Sequence, residues 1–314
     1  MEKDAVIFVA GHKGLVGSSL VSRLAADGFN NIITRTREEM DLEDEGSVLS
    51  FFREFVPQYV FMAAGRSGGI LANSTFPAEF ITENLRLQNN IIRSAWKVGT
   101  KKLLYIGCSC VYPREAPQPI NEASLLQGPL EPTSEPFAIA KIAGITACQA
   151  YRAQYGANFI VIIPATLFGP RDNFNPQNSH FLSGLLARFH SAKVNGLDEV
   201  TVWGSGNPVR ELLFVDDFAD ACLFLMENYS DSSHLNVGSG VGITIRETAE
   251  LVKEVVGFQG KVTFDLTRPD GAPKKLLDST KMLSYGWKAS TSIREGIERT
   301  YVWYLEQKDL LVGN

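Results

Sequence analysis

An apolar segment followed by three regularly spaced glycines is the feature that most limits how this chain can fold. Residues 5–10 form a continuous apolar run, AVIFVA, as expected for a parallel strand buried on both faces. Glycines at a three-residue spacing follow at once, and residues 18–26 have the pattern of a helix. A plain strand-to-helix turn would not need these glycines, whereas a dinucleotide pyrophosphate needs close backbone approach and a helix N-terminus. The predicted coenzyme contacts here are Gly11, His12, Lys13, Gly14, Leu15, Val16 and Gly17.

The end of the second predicted strand indicates which dinucleotide binds. Residues 31–34 form a short strand that runs into the basic sequence RTR at 35–37. An NAD enzyme usually places a carboxylate here for the ribose 2′-hydroxyl, whereas arginine suits the 2′-phosphate of NADP. The basic tip therefore favours NADP(H), and the alternative is a solvated pair of arginines neutralised by the two glutamates that follow. The predicted contacts are Arg35, Arg37, Asp41 and Leu42.

Strands and helices continue to alternate through the first half of the chain. Strands are predicted at 59–63, 102–107 and 159–163, with helices at 77–98 and 137–155. This alternation is typical of an α/β protein with a doubly wound parallel (Rossmann) sheet, whose strands carry ligand-binding turns at their carboxyl ends. The coenzyme contacts predicted at these ends are Ala63, Ala64, Gly65, Pro164 and Leu167.

The alternation stops after Pro170, where a polar loop takes the place of the next strand and helix. We therefore divide the chain into an NADP-binding Rossmann domain, residues 1–165, and a smaller substrate-binding lobe, mainly residues 166–314. Two apolar segments of this lobe, 212–215 and 235–237, are candidates to return to the main sheet. The boundary is thus expected to be interleaved.

Composition excludes several classes of partner. A net charge of −5 and a pI near 5.5 provide no basic surface for nucleic acid. The sequence has no apolar run of 18 residues and no signal-like N-terminus, so we expect a cytoplasmic protein without membrane contact. Its four cysteines do not form a metal-binding pattern. Cys108 and Cys110 are expected to be too close in sequence for an easy disulfide, and a reducing compartment suits all four.

Several longer motifs resemble those of one enzyme family. They include CSCVYP at 108–113, AIAKIAG at 138–144, FGPRDNF at 168–174, VWGSGNPVRE at 202–211 and KLLD at 275–278. Over essentially its whole length the chain resembles the GDP-L-fucose synthase family, which are GDP-4-keto-6-deoxy-mannose 3,5-epimerases/4-reductases of the extended short-chain dehydrogenase/reductase superfamily. The resemblance implies NADP(H), a GDP-linked 4-keto-6-deoxy sugar and a homodimer built on the two long helices.

The resemblance assigns the epimerising half of the chemistry to Cys110 and His180. A ketone at C4 acidifies the hydrogens on C3 and C5, so an acid/base pair can invert these centres through enolates. A thiol and an imidazole suit that task near neutral pH. On the residues alone, the simpler interpretation is that Cys110 is a small buried residue at a strand end and that His180 is a loop histidine bonded to backbone.

The reducing half departs from the family pattern at two positions. The resemblance implies a serine, a tyrosine and a lysine that deliver a proton to the C4 oxygen and hold the nicotinamide ribose. Lys141 retains the lysine, but Phe137 stands at the tyrosine position and Cys108 at the serine position. Ser109 is a poor substitute because neighbouring residues of an extended chain point to opposite faces. Loss of a positioned general acid costs roughly 10²–10⁴-fold in rate.

Three explanations for Phe137 stay open. It is an introduced change that traps substrate; or the chain has diverged into an epimerase only, or into an oxidoreductase or dehydratase on another GDP-sugar such as a heptose; or Cys108, Tyr112 or an ordered water supplies the proton. The alternative from a different functional class is a non-catalytic protein that binds NADP(H) and a GDP-sugar.

The second lobe retains residues that suit a GDP-sugar. Guanidinium groups bind pyrophosphate in a bidentate manner, and an indole can stack on a base or cover the sugar. For Trp203, packing in the core is an equal alternative. The residues predicted to bind substrate are Ser109, Asn173, Asn178, His180, Arg188, Trp203, Arg210 and Lys275.

Overall fold

A computed structural model describes residues 1–175, 179–268 and 270–311 of the chain. Its strands are β1 (Ile7–Ala10), β2 (Ile32–Ile33), β3 (Tyr59–Met62), β4 (Lys102–Ile106), β5 (Phe159–Pro164), β6 (Thr166–Phe168), β7 (Glu199–Trp203), β8 (Val209–Phe214), β9 (Leu235–Val237), β10 (Gly242–Thr244), β11 (Lys261–Asp265) and β12 (Lys274–Lys275). Its α-helices are α1 (Leu15–Ala26), α2 (Glu45–Phe55), α3 (Ile70–Thr75), α4 (Pro77–Lys97), α5 (Glu135–Tyr155), α6 (Phe181–Val194), α7 (Val215–Asn228), α8 (Ile245–Val256), α9 (Thr280–Ser284) and α10 (Ile293–Leu311).

The prediction of a doubly wound parallel sheet is confirmed. Six parallel strands follow the order β2-β1-β3-β4-β5-β9. Helix α1 packs against α7, and α4 packs against both α2 and α5. After β2 the chain returns to the other side of β1 to form β3. This reversal creates a switch point at the carboxyl ends of β1 and β3, which is where open α/β sheets bind ligands.

Apolar residues explain why the central strands form. Every residue of β1, β3, β4 and β5 is buried, as continuous apolar runs in a two-sided parallel sheet require. Phe8 of β1 packs on α2, its ring centroid 4.7 Å from that of Phe51 and 5.7 Å from that of Phe52. Helix α2 begins where the carboxylate of Asp44 accepts a hydrogen bond from the backbone N–H of Ser47 (2.7 Å).

The second lobe has its own sheets and core. β8 lies between β10 and β12 and also pairs with β6, while β7 pairs with β11. The buried aromatic residues of this core are Phe168, Phe174, Phe189, Phe214, Phe258, Tyr301 and Tyr304.

Only one of the two candidate segments returns to the main sheet. Residues 235–237 do so, as β9 beside β5. For residues 212–215 the expectation is wrong, because 212–214 pair with β6 in the second lobe and Val215 begins α7. β6, which follows β5 almost directly in the chain, lies in the second lobe and is the parallel partner of β8. The position beside β5 in the main sheet is taken by β9 instead.

The two long helices lie close to their predicted bounds and are tied to β4. Gln88 of α4 donates a hydrogen bond to the backbone carbonyl of Ala140 in α5 (2.8 Å) and accepts one from the hydroxyl of Tyr105 in β4 (2.8 Å). All three groups are buried, so each needs the others as partners. None of the described helices has the combination of length and apolar character that crossing a bilayer requires.

Gly144 of α5 makes this packing possible and provides a test of it. A Cβ at this position would overlap the hydroxyl and ring of Tyr105 and lie 2.8 Å from the side-chain oxygen of Gln88. We expect Gly144→Ala to lower the free energy of unfolding by roughly 1–3 kcal/mol, because a fully buried tyrosine cannot move aside without cost. Urea denaturation followed by circular dichroism measures this.

The matched control is Gly46→Ala near the start of α2. A Cβ there meets nothing closer than the Asp44 carboxylate at 3.6 Å. Stability should stay the same or rise by up to about 1 kcal/mol, because alanine favours helix more than glycine does. Equal effects of the two substitutions would contradict the packing described for α5.

Candidate active site at the carboxyl edge of the sheet

The turn between β1 and α1 contacts the end of β3 through backbone atoms alone. Gly11 has φ 83, and a Cβ on it would lie 2.8 Å from backbone atoms of Ala64. A Cβ on Gly17 would overlap the carbonyl of Gly11. The structure thus requires glycine at both positions, to close the turn and to seat α1 against it.

Gly14 is different, because the protein itself does not require a glycine there. A Cβ at 14 would meet only the carbonyl oxygen of Gly11, at an ordinary 3.5 Å. Gly14 is exposed, caps α1 without a side-chain hydrogen bond, and no acidic residue lies in the first turn of that helix. The open approach and the positive end of α1 fit a pyrophosphate. His12 and Lys13 lie in the same turn, and Leu15 and Val16 open the helix.

The basic tip of β2 is held by different contacts at its two arginines. The guanidinium of Arg35 donates to the carbonyl of Thr34 (2.8 Å) and lies over the rings of Phe51 and Phe55, 5.2 and 4.8 Å from their centroids. Arg37 is exposed and pairs with Glu43 (3.0 Å). Arg35 has no carboxylate partner within salt-bridge distance among the described residues, so its charge is available to a phosphate.

The remaining predicted coenzyme contacts lie at or beside the carboxyl edge. Ala63, Ala64 and Gly65 follow β3, Pro164 ends β5, Leu167 lies in β6, and Asp41 and Leu42 precede α2. A Cβ on Gly69, later in the turn after β3, would lie 2.6 Å from the carbonyl oxygen of Ser179. This close approach brings the turn after β3 against the loop that leads into α6.

Lys141 is buried beneath this edge. Its Nζ donates to the carbonyl of Ile106 at the end of β4 (3.0 Å), and burial lowers the pKa of the ammonium to about 8. Phe137 lies one helical turn earlier, its ring centroid 5.9 Å from the Lys141 Nζ and packed edge-on against Phe80. The described site therefore has an ammonium but no phenol at this position.

The expectation that Cys108 and Cys110 do not form a disulfide is wrong. Their sulfurs are joined in a 3-10 turn, Ser109–Val111, that directly follows β4. The turn brings the two Cα atoms to 5.4 Å, which a disulfide spans easily, whereas an extended strand would separate them further. In this state neither sulfur carries a proton.

Tyr112 has a structural role. Its hydroxyl donates to the side-chain oxygen of Asn236 (2.6 Å), the residue is only 2% exposed, and burial raises the pKa of the phenol well above its ordinary value. A phenol held in the core in this way is not positioned to protonate a sugar oxygen at the sheet edge.

Asp172 is a candidate site residue that the sequence analysis missed. The Nδ1 of His180, which precedes α6, lies 3.3 Å from the Asp172 Oδ1. The Asp172 side chain is 4% exposed, and its Oδ2 is buried with no hydrogen-bond partner among the described residues. Burial alone would lower the pKa of His180, but the hydrogen bond and charge of Asp172 outweigh it and raise that pKa above 6.5. The sequence feature that could have identified this pair is the position of Asp172 eight residues before His180 in the same loop.

Two of the predicted nucleotide-binding residues lie side by side in the second lobe. Arg210 of β8 and Lys275 of β12 are register partners, and neither has a salt-bridge partner among the described residues. Burial and the charge of Arg210 lower the pKa of Lys275 to about 8. The guanidinium of Arg210 donates to the carbonyls of Val209 and Ala272 (both 2.8 Å), and its remaining donors together with the Lys275 ammonium suit a pyrophosphate.

The other predicted substrate contacts are spread around this lobe. Arg188 of α6 donates to the carbonyls of Gly184 and Thr201 (3.3 and 3.2 Å). Trp203 is 60% exposed beneath the guanidinium of Arg268, so the core-packing alternative for it is wrong. Ser109 lies in the cysteine turn and Asn173 beside Asp172, whereas Asn178 lies outside the described residues.

Comparison with known proteins identifies the protein family to which the chain belongs. The chain belongs to the NAD dependent epimerase/dehydratase family, whose model matches residues 7–238. Within that class the motif-based resemblance is confirmed. The chain is 56% identical to GDP-L-fucose synthase 1 of Arabidopsis thaliana over 305 residues, which are 97% of this chain and 94% of that protein.

Solved structures agree on the fold over nearly the whole chain. A GDP-6-OMe-4-keto-L-xylo-heptose reductase from C. jejuni has a TM-score of 0.93 at 36% identity, over 98% of this chain and 99% of that one. A GDP-L-fucose synthetase from Naegleria fowleri bound to NADP has a TM-score of 0.91 at 28% identity, over 98% and 96%.

The contact between Asp172 and His180 leads to a prediction that does not depend on activity. We expect Asp172→Asn to lower the pKa of His180, because it removes the carboxylate charge and replaces a charge-assisted hydrogen bond with one to a neutral amide, while burial is unchanged. NMR titration of the imidazole ring protons measures this. Since the folded-state pKa is raised, the pair stabilises the protein below about pH 6.5, and this stabilisation is lost as pH rises through the folded-state pKa.

The control is Asp265→Asn, at an exposed turn whose carboxylate bonds Thr267. It should leave the His180 titration unchanged. An unchanged titration in Asp172→Asn as well would show that the two side chains do not interact in solution.

Proposed function

We propose that this protein is an NADP(H)-dependent nucleotide-sugar enzyme that epimerises C3 and C5 of a GDP-4-keto-6-deoxy-mannose-type substrate and reduces C4 only weakly. One observation carries this proposal. The chain matches a protein named GDP-L-fucose synthase almost end to end, yet lacks the phenol in the half of the site that serves reduction.

The coenzyme assignment rests on the glycine turn and on the tip of β2. Gly14 leaves room for the pyrophosphate and the N-terminus of α1 faces it, while Arg35 and Arg37 suit a 2′-phosphate. Lys141, buried at the same edge, suits the nicotinamide ribose. When bound, NADPH supplies the hydride for C4.

The epimerising half uses the reduced form of Cys110 together with His180. The thiolate removes a proton from the carbon next to the ketone, and the imidazolium delivers one to the opposite face. Asp172 raises the pKa of His180, so a larger fraction of the imidazole carries a proton near neutral pH. His180 therefore acts as the acid of the pair and Cys110 as the base.

The reducing half lacks a positioned proton donor for the C4 oxygen. Phe137 has no hydroxyl, and the Tyr112 hydroxyl is committed to Asn236. Of the three donors considered from the sequence, reduced Cys108 and a water remain. Losing the phenol costs roughly 10²–10⁴-fold, or about 3–5 kcal/mol of barrier.

The second lobe holds the GDP moiety in this proposal. Residues 1–165 bind the coenzyme, and residues 166–314 mainly bind the GDP-sugar through Arg188, Arg210, Lys275 and Trp203. The protein acts in the cytoplasm as a homodimer built on α4 and α5. Outward residues of α5 support this pairing, since Ile139 is 43% and Tyr155 48% exposed.

A second candidate function is reduction of a GDP-linked 4-keto-heptose. The observation that favours it is the TM-score of 0.93 to a reductase of such a substrate. In that case NADPH oxidation would be fast with the heptose substrate and slow with the 6-deoxy sugar.

The proposal is tested by incubating the reduced protein with GDP-4-keto-6-deoxy-mannose and NADPH in deuterated water. We expect deuterium at C3 and C5, measured by NMR, with slow NADPH oxidation; NADH serves as the coenzyme control. Cys110→Ala should abolish the exchange. Saturable binding of both ligands without any deuterium incorporation would instead support a non-catalytic binding protein.

Phe137→Tyr tests whether the missing hydroxyl limits reduction. We expect NADPH oxidation to rise by about 10²–10⁴-fold, with the gain declining above pH 8 as Lys141 loses its proton. Phe137→Leu is the control, since it changes the ring without adding a donor. No gain in Phe137→Tyr would mean that other residues of the reducing half, Cys108 among them, also limit the step.

A further inference from the structure

The disulfide between Cys108 and Cys110 lies where the proposed proton transfer takes place. Its turn follows β4 at the carboxyl edge of the sheet, and the residues from Cys108 to Cys110 are all half-buried. Part of each of these residues is therefore in contact with solvent, and a substrate bound for proton transfer at Cys110 would lie beside the disulfide.

This bond contributes little to holding the fold together. Disulfides stabilise proteins mainly by closing long loops in the unfolded chain, and the two cysteines here are separated by only two positions. The turn is also held without it, by the hydrogen bond from the Val111 N–H to the Cys108 carbonyl (3.2 Å) and by the full burial of Val111. Because this disulfide stabilises the fold so little and lies in the proposed catalytic turn, we look for its role in the chemistry of the site.

The remaining cysteines show the contrast. Cys148 and Cys222 are unpaired and fully buried, and burial raises the pKa of both thiols. Buried thiols of this kind are unreactive. Thiol chemistry in this chain is thus concentrated in the pair at the sheet edge.

We propose that Cys108 and Cys110 are a reversible thiol-oxidation site, in which a peroxide forms the disulfide and so withdraws Cys110 from proton transfer, and a dithiol restores it. This inference rests on the proposed epimerase function. Cys108 is the resolving thiol, and its sulfur is the feature that makes the oxidation reversible.

The step balances with hydrogen peroxide as the oxidant. The Cys110 thiolate attacks one peroxide oxygen and the O–O bond breaks, which gives a sulfenic acid and a hydroxide. The hydroxide takes up the proton that the Cys110 thiol released and leaves as water. The Cys108 sulfur then attacks the Cys110 sulfur, the S–S bond forms, the S–O bond breaks and a second water leaves. Two thiols lose two electrons and one peroxide gains them. A dithiol reverses the change by exchange through a mixed disulfide and becomes a cyclic disulfide itself.

The experiment has a chemical and a functional readout on the same samples. The intact protein is treated with hydrogen peroxide, then catalase, and half of each sample is reduced with dithiothreitol. After alkylation and trypsin digestion, mass spectrometry follows the peptide at 103–114, which contains Cys108 and Cys110 and no other cysteine. Deuterium exchange into the GDP-keto-sugar is measured in parallel.

We expect oxidation to link the two cysteines and to lower exchange at least about 10-fold, with full recovery after dithiothreitol. In Cys108→Ser, excess peroxide should also abolish exchange, but recovery should fail because the sulfenic acid on Cys110 has no thiol partner and oxidises further to a sulfinic acid, which dithiothreitol does not reduce. Cys148→Ala, at a fully buried site, should behave like the wild type.

Absence of the linked peptide after peroxide, or unchanged exchange in the linked protein, would overturn the inference. Recovery of Cys108→Ser equal to that of the wild type would overturn the resolving role. No exchange by the fully reduced protein would instead refute the proposed function, an outcome distinct from the others because the peptide readout does not depend on it.

Discussion

The shared direction of the six strands in the large sheet is the constraint on which the rest of this structure depends. Because every carboxyl end points the same way, the glycine turn, the turn after β3, the paired cysteines and the end of β5 all reach one edge. At that edge Gly11 lies against Ala64 so closely that backbone meets backbone. The candidate catalytic residues follow strands that end at this same edge.

The strands, turns and helices that follow from a local repeat of apolar residues or glycines were predictable from the sequence. The buried strands are continuous apolar runs, and the glycine spacing specified the turn that joins β1 to α1. The long helices α4 and α5 were equally clear, since their apolar residues repeat over many turns. The basic end of β2 was also predictable, because in this fold the end of the second strand contacts the adenosine ribose of the dinucleotide.

Features that depend on turn geometry or on the choice of strand partner were not predictable. The Cys108–Cys110 bond follows from a 3-10 turn, whereas the pattern suggested extended chain. Asp172 was visible within a motif, but its role came from the loop that folds it under His180. The exposure of Trp203 and the place of residues 212–215 in the second lobe were decided by tertiary pairing, which a single sequence does not encode locally.

β9 has a consequence for how the molecule is made and how it can change. Its three residues are synthesised long after β5, so the nascent sheet has an open edge until they emerge, and such edges invite aggregation. The N-terminal portion is therefore not a module that can be excised at residue 165. An exchange of C-terminal portions between relatives would also replace β9, whose Leu235 and Val237 pair with Ile162 and Pro164 of β5. A C-terminal portion taken from a relative would therefore fit this chain only if its β9 residues pack beside Ile162 and Pro164 of β5.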